Sequence, residues 1–255
     1  MATVGKTLAA ILLCCLVATA TSYKRNTLVN RHHSHDHSWD YLLFVREWPA
    51  VACMSPDAQR HDCSVPNVVH NWTIHGLWPT KEHTEGPNYC NDDDKFDVNK
   101  IKSLIPMLDR FWPNLYSDES PSSFWKHEWT KHGTCAMSLA ALGDELKFFS
   151  TTLKLNKKFN IDSALYDANI VPSDNRQYML SDIKQAIGQQ YNTEPIVDCL
   201  QGDNGQYLFD IRICIDKEFQ ARSCDGGSSH ECDGSQPIRF PPIHNGTAKF
   251  IKGLH

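Results

Sequence analysis

Residues 124–135 read Phe-Trp-Lys-His-Glu-Trp-Thr-Lys-His-Gly-Thr-Cys, setting two histidines, a glutamate and two lysines among three large aromatics, a density found nowhere else in the 255 residues. The spacing predicts a helix over residues 124–132. His127 and Lys131 are four apart, as are Glu128 and His132, and Glu128 and Lys131 are three apart, so these side chains neighbour one another on a helix surface. Trp125 and Trp129 form the apolar stripe beside them. Gly133 suits the position just past the helix end, and Cys135 offers a covalent tether there. An ordinary amphipathic helix with a solvated charged face has the same pattern, so this stretch alone leaves scaffold and reactive site both open. A zinc-protease reading fails on spacing. The second imidazole would have to follow His127 by four residues, where Lys131 stands, and His132 is rotated off the ligand face.

A second stretch tips the balance. Residues 72–79, Trp-Thr-Ile-His-Gly-Leu-Trp-Pro, follow the apolar pair Val68 and Val69. Alternation from His70 puts Trp72 and Ile74 on one face of a strand and Asn71, Thr73 and His75 on the other. His75 is then expected at the strand's end, turned away from the buried side. Gly76 leaves room beside it, and Trp78 offers a flat ring for a base to stack on, or is simply a core tryptophan.

Residues 74–79 and 125–135 together resemble the paired active-site segments of the T2 ribonuclease family, the secreted acid endoribonucleases. Residues 40–49, with Phe44 and Trp48-Pro49, resemble that family's first strand, and the cysteine pattern agrees. The resemblance spans residues 39–242 and is weakest between about 140 and 190 and in the tails. It implies cleavage of single-stranded RNA, in which the 2′-hydroxyl attacks the adjacent phosphorus to give a 2′,3′-cyclic phosphate and then a 3′-phosphate. His132 is assigned as general base and His75 as general acid, since imidazoles titrate near working pH. Lys131, and His127 if protonated, would stabilise the charged phosphorane. Glu128 would orient an imidazole or, if protonated, polarise the phosphate, and Trp78 would stack on a base or ribose. Stacking tolerates any base, so base selectivity is expected to be low. DNA lacks the attacking hydroxyl and should be refused. No metal or other cofactor is called for, and a monomer is expected. Glu47 stands where some relatives carry an amide thought to help bind a base.

The flanks fit a secreted protein. Residues 1–20 have Lys6, an apolar core at 8–17 and Ala-Thr-Ala as a cleavage site, the layout of a signal peptide. That core is too short to span a bilayer. Removing it leaves about 235 of the 255 residues, enough for one sizeable core and a single domain. The extracellular space and a lysosomal lumen are both open. Cys53, Cys63, Cys90, Cys135, Cys199, Cys214, Cys224 and Cys232 remain, an even number that implies four disulfides, although eight cysteines allow 105 connectivities. The resemblance pairs Cys53 with Cys63, Cys90 with Cys135, Cys199 with Cys232 and Cys214 with Cys224.

A formal charge of −5 suits a polyanion poorly, but protonating all thirteen histidines would make it +8, and +7 without Lys6, which points to an acidic compartment. His32, His33, His35 and His37 crowd the expected mature N-terminus, residues 21–38, as a chelating or charge-switching cluster or as incidental side chains of a mobile end.

Residues 40–48 read as a strand. Residues 98–110 carry Ile101, Leu104, Ile105 and Leu108 at helical spacing, with Pro106 expected to bend the helix. Residues 139–159 read as a helix, as do 181–191 with Ser181 as cap. Residues 206–215 read as a strand with Asp210 and Arg212 on a wet face. The fold class is therefore α+β, an antiparallel sheet with helices packed against it. Of two glycosylation sequons, Asn71 shares the expected face of His75, where a glycan would crowd the cleft. Asn245, in the tail at 243–255, is the better acceptor. The alternative to an enzyme is a secreted signalling or binding protein whose effect does not need the site.

Overall fold

The computed structural model describes residues 37–244, apart from Glu85 and Asp225. The expected signal peptide, His32, His33, His35 and the Asn245 sequon lie outside the described residues. The chain runs β1 (Tyr41–Glu47), α1 (Pro49–Ala52), β2 (Thr73–Thr80), α2 (Ile105–Phe111), α3 (Pro121–Glu128), α4 (Thr134–Ala136), α5 (Glu145–Lys158), α6 (Ile161–Asp167), β3 (Ser173–Tyr178), α7 (Leu180–Tyr191), β4 (Ile196–Gly202), β5 (Gly205–Ile215) and β6 (Ile238–Phe240).

β1 lies between β2 and β5 in a six-stranded sheet ordered β2-β1-β5-β6-β3, with β4 also paired to β5. It pairs antiparallel with β2 from Tyr41 opposite Thr80 to Glu47 opposite Thr73, and with β5 from Leu42 opposite Ile215 to Glu47 opposite Asp210. β4 pairs antiparallel with β5, and β3 with β6. One junction departs from the antiparallel expectation. β6 runs parallel to β5, through Gln206 opposite Ile238 and Tyr207 opposite Arg239. Residues 216–237 make this possible by carrying the chain back to the start of β5, since parallel neighbours need a long crossover. Two bridges, Cys214–Cys224 and Cys199–Cys232, fasten that connection, and Cys53–Cys63 and Cys90–Cys135 complete the four expected pairs.

Leu42, Phe44, Ile74, Leu77, Ile211 and Ile213 turn one sheet face into the core, where Trp112, Trp125, Trp129, Phe148 and Phe149 meet it from the helices. Helix boundaries differ from expectation for local reasons. Residues 98–104 form a 3₁₀ turn, and Pro106 stands in the first turn of α2 instead of bending a longer helix, because its missing N–H costs nothing there. α5 starts at Glu145, six residues late, since Asp144 caps it by accepting from the Lys147 N–H at 2.8 Å. α7 starts at Leu180, which puts Ser181 inside the first turn and not at the cap.

Candidate active site

Trp125 fixes α3 by burying its ring and donating from Nε1 to the Trp112 carbonyl at 2.7 Å. Trp129 does the same one turn on, donating to the Asp94 carbonyl at 3.0 Å. After Glu128 the helix widens into a π turn, Trp129–Gly133, and continues as α4. Gly133 therefore lies within the helical path, not past its end. A β-carbon there would meet Cε3 of Trp129 at 2.4 Å, so the glycine is what lets the indole seat. Single π turns are a common feature of functional sites. Here the widening turns Glu128 and His132 inward, 1% and 6% exposed, and leaves His127 exposed and Lys131 half-buried. The Cys90–Cys135 bridge and a Tyr89 N–H donated to the Lys131 carbonyl at 2.9 Å tie the turn to the loop after β2.

The opposite wall comes from β2. His75 is not at the end of the strand but third in it, and it is the extra residue of a β-bulge. Val45 pairs with Gly76 and Arg46 with Ile74, so His75 has no partner across the ladder. A bulge inverts the alternation. Leu77 is then buried in the core, and His75 and Trp78, three residues apart, share the other face, with ring centroids 5.1 Å apart, edge to face. Trp112 donates from Nε1 to the His75 carbonyl at 2.9 Å and fixes the bulge. Gly76 faces Trp78 and Glu128 at close quarters. A β-carbon on it would lie 2.1 Å from the indole nitrogen and 2.2 Å from Glu128 Oε2.

Trp78 joins the two walls. Its Nε1 donates to Glu128 Oε2 at 2.9 Å, and its ring stacks on His132 with centroids 5.1 Å apart at 24°. Both imidazoles thus lie 5.1 Å from one indole, and their centres are no further apart than about twice that. The ring's protein partners are His132, His75 and the Arg212 guanidinium 5.5 Å from its centroid.

Burial dominates the electrostatics. It pulls the His75 imidazole down to about 3 and His132 to about 2, helped for His75 by Arg212, His127 and Lys131 and for His132 by Lys131, His127 and His75. His127 is lowered by desolvation and by Lys131. Acidification to pH 5 therefore does not charge all thirteen histidines, because the two buried imidazoles stay neutral. The carboxyls move the other way. Burial raises Glu128 to about 8 against the Trp78 hydrogen bond, and raises Glu47 to about 8 with Asp210 and Glu128 adding repulsion. Both are neutral in acid, which removes two negative charges from beside the place a polyanion would occupy.

The face of β5 expected to be wet buries Asp210 and leaves Arg212 only partly exposed, at the wall of a cavity. Asp210 is buried and stands directly opposite Asp198, also buried, across the β4–β5 ladder. Arg212 pairs with Asp198 and with Asp210 at 3.1 Å. Burial raises both carboxyls, Asp210 to about 7. A second bulge sets this up. Asp198 faces Asp210 and Cys199 faces Leu208, so Phe209 is extra and Leu208 turns into the core. Nothing in the alternation of residues 206–215 shows that face to be closed over.

Glu47, His75, His127, Asn114, Phe124 and Arg212 line one cavity of about 690 Å³, and the Glu47 carboxyl stands 3.4 Å from His75 Nδ1. Asn71 is exposed and lines a different cavity, on the side of the sheet away from His75, because β2 starts only at Thr73 and the alternation does not extend back to it.

RNase NT, solved in complex with 5′-AMP, superposes with a TM-score of 0.70 at 31% identity over 81% of this chain and all of its own. Human RNase T2 gives 0.66 at 32% identity, over 80% of this chain and 99% of its own. Ribonuclease Oy of Magallana gigas is 38% identical over 213 residues, covering 81% of this chain and 98% of that protein. These likenesses define the class, an endoribonuclease on a disulfide-bonded α+β fold. More narrowly, a model of the Ribonuclease T2 family matches residues 39–224, and the chain belongs to that family.

Proposed function

We propose that the enzyme cleaves single-stranded RNA by transesterification, with His132 taking the 2′-hydroxyl proton and His75 protonating the departing 5′-oxygen. The observation that carries this reading is that both imidazoles flank one indole at 5.1 Å, close enough to bracket a single phosphodiester. Each proton transfer is worth roughly 10²- to 10⁴-fold. Lys131 and His127 lie beside His132 on the same helical segment and would meet the negative charge of the phosphorane. That charge also opposes the cations that hold the imidazoles down. A bound phosphodiester therefore favours the imidazolium that a general acid must be. Glu128, neutral below about pH 8, can donate a hydrogen bond to a phosphate oxygen. Glu47 in the cavity beside His75 can accept from a base when ionised and donate when protonated, so preference at that site should depend on pH.

The rest of the reading follows from the same chemistry. The 2′,3′-cyclic phosphate is then hydrolysed to a 3′-phosphate with the two histidines exchanging roles, and DNA is refused for want of the hydroxyl. The eight cysteines in four bridges and the leader-like residues 1–20 favour secretion or a lysosomal lumen, with residues 39–242 as the mature catalytic domain, a monomer carrying a glycan at Asn245. No helix among the described residues is long and apolar enough to cross a membrane. A secreted signal whose effect is independent of cleavage is the second reading, and His132→Ala separates the two by abolishing only the nuclease. The test is digestion of a defined RNA by the purified protein at about pH 5 with EDTA present. Cyclic or 3′-phosphate ends support the mechanism, and 5′-phosphate ends or a metal requirement overturn it.

A further inference from the structure

A second cavity, somewhat larger than the one beside His75, takes no part in this chemistry. It encloses about 790 Å³ on the far side of the sheet, because Arg46 and Glu47 are successive residues of β1 and point to opposite faces. Glu47 lines the cavity beside His75 and Arg46 this one.

Arg46 is 2% exposed. Its Nε donates to the Thr73 carbonyl at 3.1 Å, Nη2 donates to the Trp72 carbonyl, and Asp162 Oδ2 stands 3.5 Å from Nη2. Nη1, equally buried, has no hydrogen-bond partner, and neither does the buried Oδ1 of Asn156 in the same cavity. Both atoms are closed off from solvent beside the cavity, and a buried donor or acceptor without a partner is costly, so a ligand that shifts the lining enough to reach them relieves both. Charge points the same way. Arg46, Arg110, Lys154 and Lys157 line the space against a single carboxylate, Asp162. The floor is aromatic. Trp48 lies 5.5 Å from Trp72 and 4.7 Å from Phe240, ring centre to ring centre. At the rim stand Val68, Met107 and Tyr166, three of the few exposed large apolar side chains. Cavities of this size with an apolar lining and a few convergent polar groups suit small ligands.

We infer that this cavity is a second, non-catalytic nucleotide site, in which Arg46 Nη1 and the Lys154 and Lys157 ammoniums meet a phosphate, the aromatic wall meets the base, and Asn156 Oδ1 accepts from a base N–H. A simple anion would leave Asn156 unsatisfied, and an apolar ligand would leave Arg46 so. A nucleotide answers both, either free or as one unit of an RNA strand that reaches round the edge of the sheet.

The test is binding, which does not require the catalytic reading to hold. Adenosine 5′-monophosphate is titrated calorimetrically at about pH 5.5 into protein stripped of N-glycans, since Asn71 is at the rim. Two equivalents per chain are expected, one of them weakened at least about tenfold by Lys154→Glu with Lys157→Glu. These two are exposed positions on α5, chosen because replacing the buried Arg46 risks the fold. A single equivalent indifferent to the charge reversal overturns the site, and inorganic phosphate binding there as tightly as the nucleotide overturns its recognition of the base. Cleavage kinetics then separate the two sources of nucleotide. A KM raised for long RNA but not for a dinucleotide assigns the site to the substrate strand, and unchanged KM values beside the weakened equivalent assign it to free nucleotide.

Discussion

Replacing Glu128 by glutamine isolates the protonation state on which the site's chemistry is built. The folded chain holds this carboxyl at about 8, against an ordinary value of 4.5. Below pH 4.5 folded and unfolded chains both carry the proton. Between 4.5 and 8 the unfolded chain releases it and the folded one does not, so the wild type loses stability as pH rises, at about 1.4 kcal/mol per unit. The full window amounts to on the order of 4 kcal/mol. Glutamine has the same shape, still accepts from Trp78 Nε1 and does not titrate. At pH 4.5 the variant should match the wild type to within about 1 kcal/mol, the usual worth of a neutral hydrogen bond. At pH 8 it should be the more stable protein by several kcal/mol. Urea unfolding at both pH values, followed by tryptophan fluorescence, measures this. A difference between the two proteins that does not change with pH would show that Glu128 is ionised in the fold and refute the argument.

Gly76→Ala puts a methyl 2.1 Å from the Trp78 nitrogen and 2.2 Å from Glu128 Oε2. Overpacking of this kind costs about 1–3 kcal/mol. The displaced indole should lower kcat about a hundredfold, and wild-type kcat in a folded variant would contradict it. Replacing Cys90 and Cys135 by alanine opens a loop of sequence separation 45, which should cost about 4 kcal/mol in the chain-entropy model, readable as a lowered urea midpoint. Arg212→Met leaves Asp198 and Asp210 facing each other unpaired. The expected loss is about 3–5 kcal/mol, smaller at pH 5 than at pH 8 because both carboxyls are raised and take up protons as the pH falls. An equal loss at both pH values argues against the buried pair.

How far the sequence could be read depended on the kind of signal. His75, Glu128 and His132 could be singled out because dense titratable groups beside tryptophans are rare, and the structure brings all three around Trp78. The helical spacing of Trp125 and Trp129 likewise reports a real packing stripe. What escaped was whatever depends on a partner strand. The bulges at His75 and Phe209 each invert an alternation, and only the register of β1 against β2 and of β4 against β5 reveals them. Asp210 and Arg212 looked solvated because strand period tells which side chains share a face, not what covers that face. Gly133 looked like a stop signal because glycine commonly ends helices, while its use here is to admit the Trp129 ring.

The pairing of His75 with His132 on one phosphodiester is best tested by a dinucleotide whose bridging 5′-oxygen is replaced by sulfur, a leaving group that needs no proton. On the natural substrate His75→Ala and His132→Ala should each lose about 10²- to 10⁴-fold in rate. On the thio substrate His75→Ala should recover close to the wild-type rate and His132→Ala should not. Failure of the sulfur to rescue His75→Ala, or rescue of both variants alike, would contradict the division of labour between the two imidazoles.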